Sequence, residues 1–135
     1  MELGEWMRTL DDLMPKTKFD DSGIGELNQL SDEEIEPVLP ELLAWMKDMN
    51  WPIANEMPEL LAKHQKIIAP HIIDILQPEQ LECDWKTNLV QHLLPLMDKE
   101  YLMMVKPCLM RIAENPTWGE KSEDTDTAAQ KLLLI

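Results

Sequence analysis

Three prolines, Pro37, Pro70 and Pro107, recur in the same apolar setting and are separated by 33 and 37 residues. An aliphatic residue stands two positions before and two positions after each of them: Ile35 and Leu39, Ile68 and Ile72, Val105 and Leu109. Self-similarity at this period is typical of stacked helical repeats. The repeat therefore predicts an architecture of stacked helix pairs, a kind of fold that mostly binds other molecules.

A second block repeats at an offset of 33, since Asn55, Met57, Leu60 and Leu61 correspond to Asn88, Val90, Leu93 and Leu94. The apolar residues along the chain recur at helical spacing, and no segment shows the strict alternation of a half-buried strand. The sequence therefore predicts an all-α protein. We expect five equivalent positions of the repeat to be buried in its core: Leu42, Leu60, Ile72, Leu93 and Leu109.

The 135 residues fit one domain, which we divide into an N-terminal helix and loop (1–30) and three helix pairs (31–135). Leu3, Trp6, Met7 and Leu10 form the apolar stripe of the N-terminal helix. We expect each repeat proline to kink or break the first helix of its pair. The predicted pairs are 32–48 with 52–63, 66–77 with 84–95, and 99–114 with 120–133.

Capping signals support these boundaries. Ser31 and Glu34 have the spacing of a capping box, and so do Thr117 and Glu120. Asn50 is expected to cap a helix that begins at Trp51 and Pro52, where a proline in the first turn costs no hydrogen bond. Asp98 is expected to cap the helix that follows it.

The charge is strongly acidic, with 26 acidic and 12 basic residues and a net charge of −14. Scattered basic residues argue against a nucleic-acid surface and against docking on an anionic membrane. A basic protein partner is compatible with this charge, because an acidic surface steers such partners toward it. High charge also simply keeps a small domain soluble, so we expect a monomer or a weak dimer.

Other site classes have little support. Met1–Glu5 does not resemble a signal peptide, and no apolar run approaches the ~20 residues that span a bilayer, so we predict a cytoplasmic protein. Cys83 and Cys108 lack the spacing of a disulfide framework or zinc site. His64, His71 and His92 do not share a helical face. We therefore predict no catalytic residues, metal site or cofactor.

The segment from Leu39 to Asp48, followed by Ile53 and Met57, resembles a HEAT repeat. Its proline-bearing first helix ends near an aspartate, and its second helix opens with a branched aliphatic residue. The resemblance implies an α-α superhelix. The chain departs from the pattern at Ala54, where HEAT repeats often carry an arginine, so the ladder of Asp–Arg pairs is not expected.

From Pro15 to Leu133 the chain resembles a family of small bacterial proteins of unknown function. Four segments carry this resemblance: Pro15–Asp20, Leu30–Pro37, Asp48–Pro52 and Asn115–Thr117. It implies no activity.

The corner from Asp48 to Pro52 is the best candidate for a binding site. Asp48, Asn50 and Trp51 meet at a helix–helix turn, and Trp85 is expected one repeat away on the same rim. Trp51 and Trp85 would flank a groove to which Glu56 and Glu59 add negative charge. The structural alternative is that Asn50 caps the helix, Trp51 packs on the preceding helix and Asp48 accepts backbone amides.

We therefore favour a non-enzymatic protein-interaction module. One subclass is an immunity or antitoxin-type inhibitor of a basic toxin, for which the charge is the only support. The rival is a small enzyme or ligand-binding domain that uses acidic residues on the concave face. A deep pocket of convergent, buried polar groups would favour the rival.

Overall fold

A computed structural model describes residues 10–135, and within that range the chain is helical and contains no strand. The all-α prediction is confirmed. The α-helices are α1 Leu10–Leu13, α2 Ile24–Leu27, α3 Asp32–Ile35, α4 Leu39–Ala44, α5 Met57–Leu61, α6 Gln65–Ile75, α7 Cys83–Asn88, α8 Lys99–Glu114, α9 Trp118–Ser122 and α10 Thr125–Leu133.

Short 3-10 and π segments join several of these helices end to end. The 3-10 segments are Glu36–Val38, Trp45–Lys47, Pro52–Glu56, Ala62–His64 and Leu94–Leu96, and the π segment is Leu89–Leu93. The resulting helical segments are 32–47, 52–64, 65–75, 83–96, 99–114 and 118–133. Each predicted helix has a counterpart among them, but the last is divided at Asp124, whose φ of 60° is left-handed.

The repeat prolines act differently from one another. Pro37 lies in the 3-10 segment that separates α3 from α4, so the first helix is broken there as expected. Pro70 and Pro107 lie inside α6 and α8, which continue through them. All three prolines are exposed. Proline has no backbone N–H, so one carbonyl in the preceding turn lacks its usual donor, and at an exposed position water can replace it.

Helices from different parts of the chain pack against one another. The first helices α6 and α8 pack together, while the π segment of the second pair contacts both α5 and α10. The five residues predicted as core, Leu42, Leu60, Ile72, Leu93 and Leu109, are all buried in one continuous cluster. This cluster fixes the position of the corner between 32–47 and 52–64.

The N-terminal part packs against this stack. The predicted N-terminal helix falls mostly on residues 1–9, which lie outside the described residues. Of its apolar stripe only Leu10 is described, and it begins α1. The loop after α1 returns to the corner, where the Ile53 amide donates to the Lys18 carbonyl at 2.9 Å. Gly23 allows the loop to approach α1, because a Cβ there would lie 2.0 Å from the Leu13 carbonyl oxygen.

Candidate functional site

The corner between 32–47 and 52–64 is shaped by Asp48. Its backbone is extended, and its carboxylate accepts the Asn50 amide at 2.9 Å, while its carbonyl accepts the Trp51 amide at 3.1 Å. Pro52 then opens the next helical segment, with Trp51 as the capping residue. The prediction that the Asn50 side chain caps this helix is wrong, because the capping position has moved to Trp51 and no side-chain bond is made there.

The indole of Trp51 packs edge to face on that of Trp45, with ring centroids 5.6 Å apart and planes at 76°. Both side chains are half-buried. This is the favourable geometry for aromatic pairs, because the positive edge of one ring meets the negative face of the other. Trp51 therefore packs on the preceding helix, as expected if its role is structural. Part of the tryptophan pair remains exposed to solvent.

The tryptophan pair lines a recess of about 580 Å³, here called the Trp recess. Its other walls come from α1, the loop after it, and the end of 32–47: Asp11, Met14, Pro15, Lys16, Glu41, Ala44 and Lys47. Asp11, Lys16 and Glu41 are exposed, whereas Met14 is buried beneath them. The site is thus an aromatic floor with a charged rim, rather than a closed cavity of convergent buried polar groups.

The rim lysines already have partners. The Lys16 ammonium donates to the Asp11 carbonyl. The Lys47 ammonium lies 2.9 Å from a Glu82 carboxylate oxygen and 4.7 Å from the centroid of the Trp85 ring. Neither the Asp11 nor the Glu41 carboxylate forms an ion pair with any residue in 10–135. Lys16 likewise forms no ion pair in that range, so the rim carries two carboxylates and one ammonium without an ion-pair partner.

Trp85 does not flank a groove, contrary to the sequence-based prediction. It is only 8% exposed, and its indole N–H donates to the Leu43 carbonyl at 2.9 Å. Lys47 covers the ring from outside. Burial of the ring and satisfaction of its one polar atom make Trp85 a packing residue that holds 83–96 against 32–47.

Asn88 has a structural role that the sequence analysis missed. Its side-chain amide donates to the Met46 carbonyl at 2.9 Å and to the Lys47 carbonyl at 3.2 Å, which caps the end of 32–47. The repeat pairs Asn88 with Asn55, but Asn55 is exposed, so the shared residue type does not mark a shared role. A sequence signal for this contact is lacking because the two partners are 42 residues apart.

Glu56 and Glu59 are exposed on 52–64 and do not line the Trp recess. The carboxylate beside Trp51 is that of Glu41 instead. Glu41 shares 32–47 with three further exposed glutamates, Glu33, Glu34 and Glu36. The Glu34 side chain is engaged in the capping box with Ser31, and we call the other three residues, Glu33, Glu36 and Glu41, the acidic face. None of the three has an ion-pair partner within residues 10–135.

A second recess, of about 460 Å³, adjoins the acidic face and is lined by Glu33, Glu36, Pro37 and His71. The acidic face thus runs from this recess, near the start of 32–47, to the Trp recess at its end. Like charges on one short helical segment reinforce one another and favour a cationic partner.

A family model for a domain of unknown function, DUF5071, matches residues 13–133. The chain belongs to the DUF5071 family. Its match covers the acidic face, most of the Trp recess and the whole helical stack. No curated protein matches the chain.

Two further polar clusters of this DUF5071 domain contain none of the three glutamates of the acidic face. In the first, Lys86 and Glu120 are both fully buried, with Lys86 Nζ 2.7 Å from Glu120 Oε2. Arg111 forms a second ion pair with the same carboxylate, and the Thr117 amide donates to it at 2.8 Å. Lys86 also donates to the Gln77 carbonyl and Arg111 to the Leu76 carbonyl, both at 2.8 Å.

Burial alone raises the pKa of Glu120, but hydrogen bonds from Arg111, Lys86 and the Thr117 amide outweigh it and lower that pKa to about 2. The carboxylate is therefore ionised and fully bonded at neutral pH. The capping box predicted at Thr117 and Glu120 is confirmed, and its glutamate also closes this buried cluster. The cluster joins α7, α8 and α9 and is a structural element.

The second cluster contains His64, which is 4% exposed and whose Nδ1 lies 2.6 Å from Asp32 Oδ1. Its Nε2 is buried and has no partner among residues 10–135. The pair joins the end of 52–64 to the start of 32–47, next to the Ser31–Glu34 capping box, which is confirmed. In the described part of the chain, no group of three or more His, Cys, Asp and Glu side chains is placed to hold a metal ion.

None of the helices within residues 10–135 is both long and apolar enough to span a bilayer.

The capping prediction for Asp98 is half right. Asp98 occupies the capping position of α8, but its side chain makes no capping bond.

Both cysteines are free, and burial raises the pKa of each thiol.

Proposed function

We propose that this DUF5071 domain is a non-enzymatic, cytoplasmic interaction module, monomeric and HEAT-like in curvature, that binds a basic protein partner through the acidic face. The observation that carries this proposal is the set of three exposed carboxylates, Glu33, Glu36 and Glu41, without ion-pair partners in residues 10–135. A partner that supplies lysines or arginines gives these charges the counter-ions that the chain itself does not provide.

The two recesses at the ends of the acidic face support the same proposal. Each offers concave surface beside a carboxylate: the Trp recess beside Glu41, and the recess beside Glu33 and Glu36. Tryptophan is enriched among the residues that dominate binding energy at interfaces. Concave apolar surface supplies affinity, while the carboxylates supply orientation and a fast, steered association.

An inhibitor of a basic toxin remains one form that such a module can take. The net charge of −14 and the unpaired carboxylates favour a basic partner of any kind, and they do not distinguish a toxin from another cationic protein. Identification of the partner decides between these forms.

The test compares two charge-reversal variants as bait in native lysate. Glu33→Lys with Glu36→Lys reverses charge on the acidic face, while Glu56→Lys with Glu59→Lys makes the same change on the exposed side of 52–64. Because all four residues are exposed, both variants should fold, with free energies of unfolding within about 1 kcal/mol of the wild type. Thermal unfolding checks this before the capture.

We expect the wild type to capture a basic protein that the Glu33/Glu36 variant no longer retains and that the Glu56/Glu59 variant retains. Retention by the first variant and loss by the second would move the site to the second helices, as the sequence first suggested. Equal retention by both, or a partner that is not basic, would contradict the proposal.

A further inference from the structure

We propose that the Trp recess is an anchor site for one cationic side chain, an arginine or lysine of the basic partner. This inference rests on the proposed function and deepens it, because it names the group that the end of the acidic face recognises. The recess combines two half-buried indoles with the carboxylates of Glu41 and Asp11 on its rim. An indole face and a carboxylate each attract a positive charge, so a site that has both favours a cationic group.

The aromatic floor is available to a guest. The edge-to-face contact of Trp45 and Trp51 occupies one face of one ring, so the pair itself leaves other ring faces uncovered. Both rings line a volume of about 580 Å³, which exceeds the size of a single side chain. An alkyl or guanidinium group entering the recess can therefore lie on an indole while its charge stays near the rim.

The same molecule already contains this arrangement a short distance away. The Lys47 ammonium lies over the Trp85 ring at 4.7 Å and bonds the Glu82 carboxylate at 2.9 Å. One cation is thus held between an indole and a glutamate by groups of the chain itself. The Trp recess has the indoles and the glutamate, but the Glu41 carboxylate has no such cation within residues 10–135.

Two lysines that line the recess, Lys16 and Lys47, oppose a cationic guest. The Lys47 ammonium is paired with Glu82, so the positive charge without an ion-pair partner in residues 10–135 is that of Lys16. Its ammonium lies on the rim and is bonded to the Asp11 carbonyl. A guest cation has to tolerate this like charge, which limits the affinity. Loss of the Glu41 charge should therefore weaken binding of the cation, whereas loss of the Lys16 charge should strengthen it.

The experiment is a titration of the full chain, labelled with ¹⁵N, with Nα-acetyl-arginine amide and separately with Nα-acetyl-citrulline amide. Citrulline is the neutral near-isostere of arginine and controls for stacking without charge. The indole N–H signals, assigned by single Trp→Phe variants, report on the tryptophans separately. Trp118, which is 85% exposed and outside the recess, is an internal control.

We expect arginine to produce saturable shifts of the Trp45 and Trp51 signals, and citrulline to produce much weaker binding. Glu41→Gln should weaken arginine binding about fivefold, and Lys16→Gln should strengthen it by a similar factor. Non-saturating shifts, equal binding of citrulline, or shifts centred on Trp118 would overturn the inference. So would an unchanged affinity in both charge variants.

Failure here is distinguishable from failure of the proposed function. The titration needs no partner, and the capture experiment reverses charge at Glu33 and Glu36, which do not line the Trp recess. If the partner is lost only when Glu33 and Glu36 are reversed, and arginine does not bind, then the module stands and the anchor site is wrong.

Discussion

At the scale of single residues, one buried ion pair constrains stability. Lys86 and Glu120 are both fully buried, and removal of one partner leaves the other as an uncompensated charge in the core. Glu120→Gln should therefore lower the free energy of unfolding at pH 7 by about 3 kcal/mol. Urea denaturation measures this, and Glu123→Gln, an exposed neighbour, should change it by less than about 0.5 kcal/mol.

The same residue predicts a pH dependence. The pKa of Glu120 is lowered from 4.5 to about 2 in the folded protein, so its stabilisation is complete above pH 4.5 and is lost as the pH falls toward 2. The stability difference between wild type and Glu120→Gln should shrink across that window. A difference that stays constant from pH 7 to pH 2.5 would show that the carboxylate's charge is not what stabilises the cluster.

Gly23 and Gly25 are close in sequence but differ in the space available to a side chain, so they form a matched pair for mutation. A Cβ at Gly23 would lie 2.0 Å from the Leu13 carbonyl oxygen, whereas one at Gly25 meets nothing within 4 Å. Gly23→Ala should cost about 2–3 kcal/mol, because backbone has to move, while Gly25→Ala, inside α2, should be neutral or slightly stabilising. Thermal unfolding compares the two. Equal effects would mean that the loop approaches α1 less closely.

At the scale of helices and turns, the break between α9 and α10 depends on Asp124. Its φ of 60° is a left-handed conformation that Asp, Asn and Gly adopt more easily than branched residues. Asp124→Val should lower the free energy of unfolding by about 1–2 kcal/mol, and Asp124→Gly should change it by less than about 0.5 kcal/mol. Chemical denaturation of both variants tests this, and equal effects would contradict the left-handed turn.

Helix positions were predictable because local signals determine them. Apolar spacing located the helical segments, and the capping boxes at Ser31 and Thr117 marked two helix starts. The break at Asp124 was missed, since an aspartate carries no strong signal for a left-handed turn. Pro70 and Pro107 were expected to break or kink their helices, and they do not break them: α6 and α8 continue through both prolines, which lie on the solvent side.

At the scale of the whole molecule, the candidate site was only half predictable. Asp48 and Trp51 were identified from their local composition, and both shape the corner. Trp85 was misplaced because its burial depends on a bond to Leu43, 42 residues away, and Glu41 was missed because its closeness to Trp51 arises only from packing. The spacing of apolar residues along the chain does not predict such contacts between distant residues.

The central claim is that the acidic face recruits a basic partner, and the salt dependence of association tests it most directly. Association rates of the captured partner are measured by stopped flow between low and physiological ionic strength. We predict a steep fall of the wild-type rate with salt, a shallower one for Glu33→Lys with Glu36→Lys, and little change in dissociation rates. An association rate that is independent of salt, or equally salt-dependent in wild type and variant, would contradict the account.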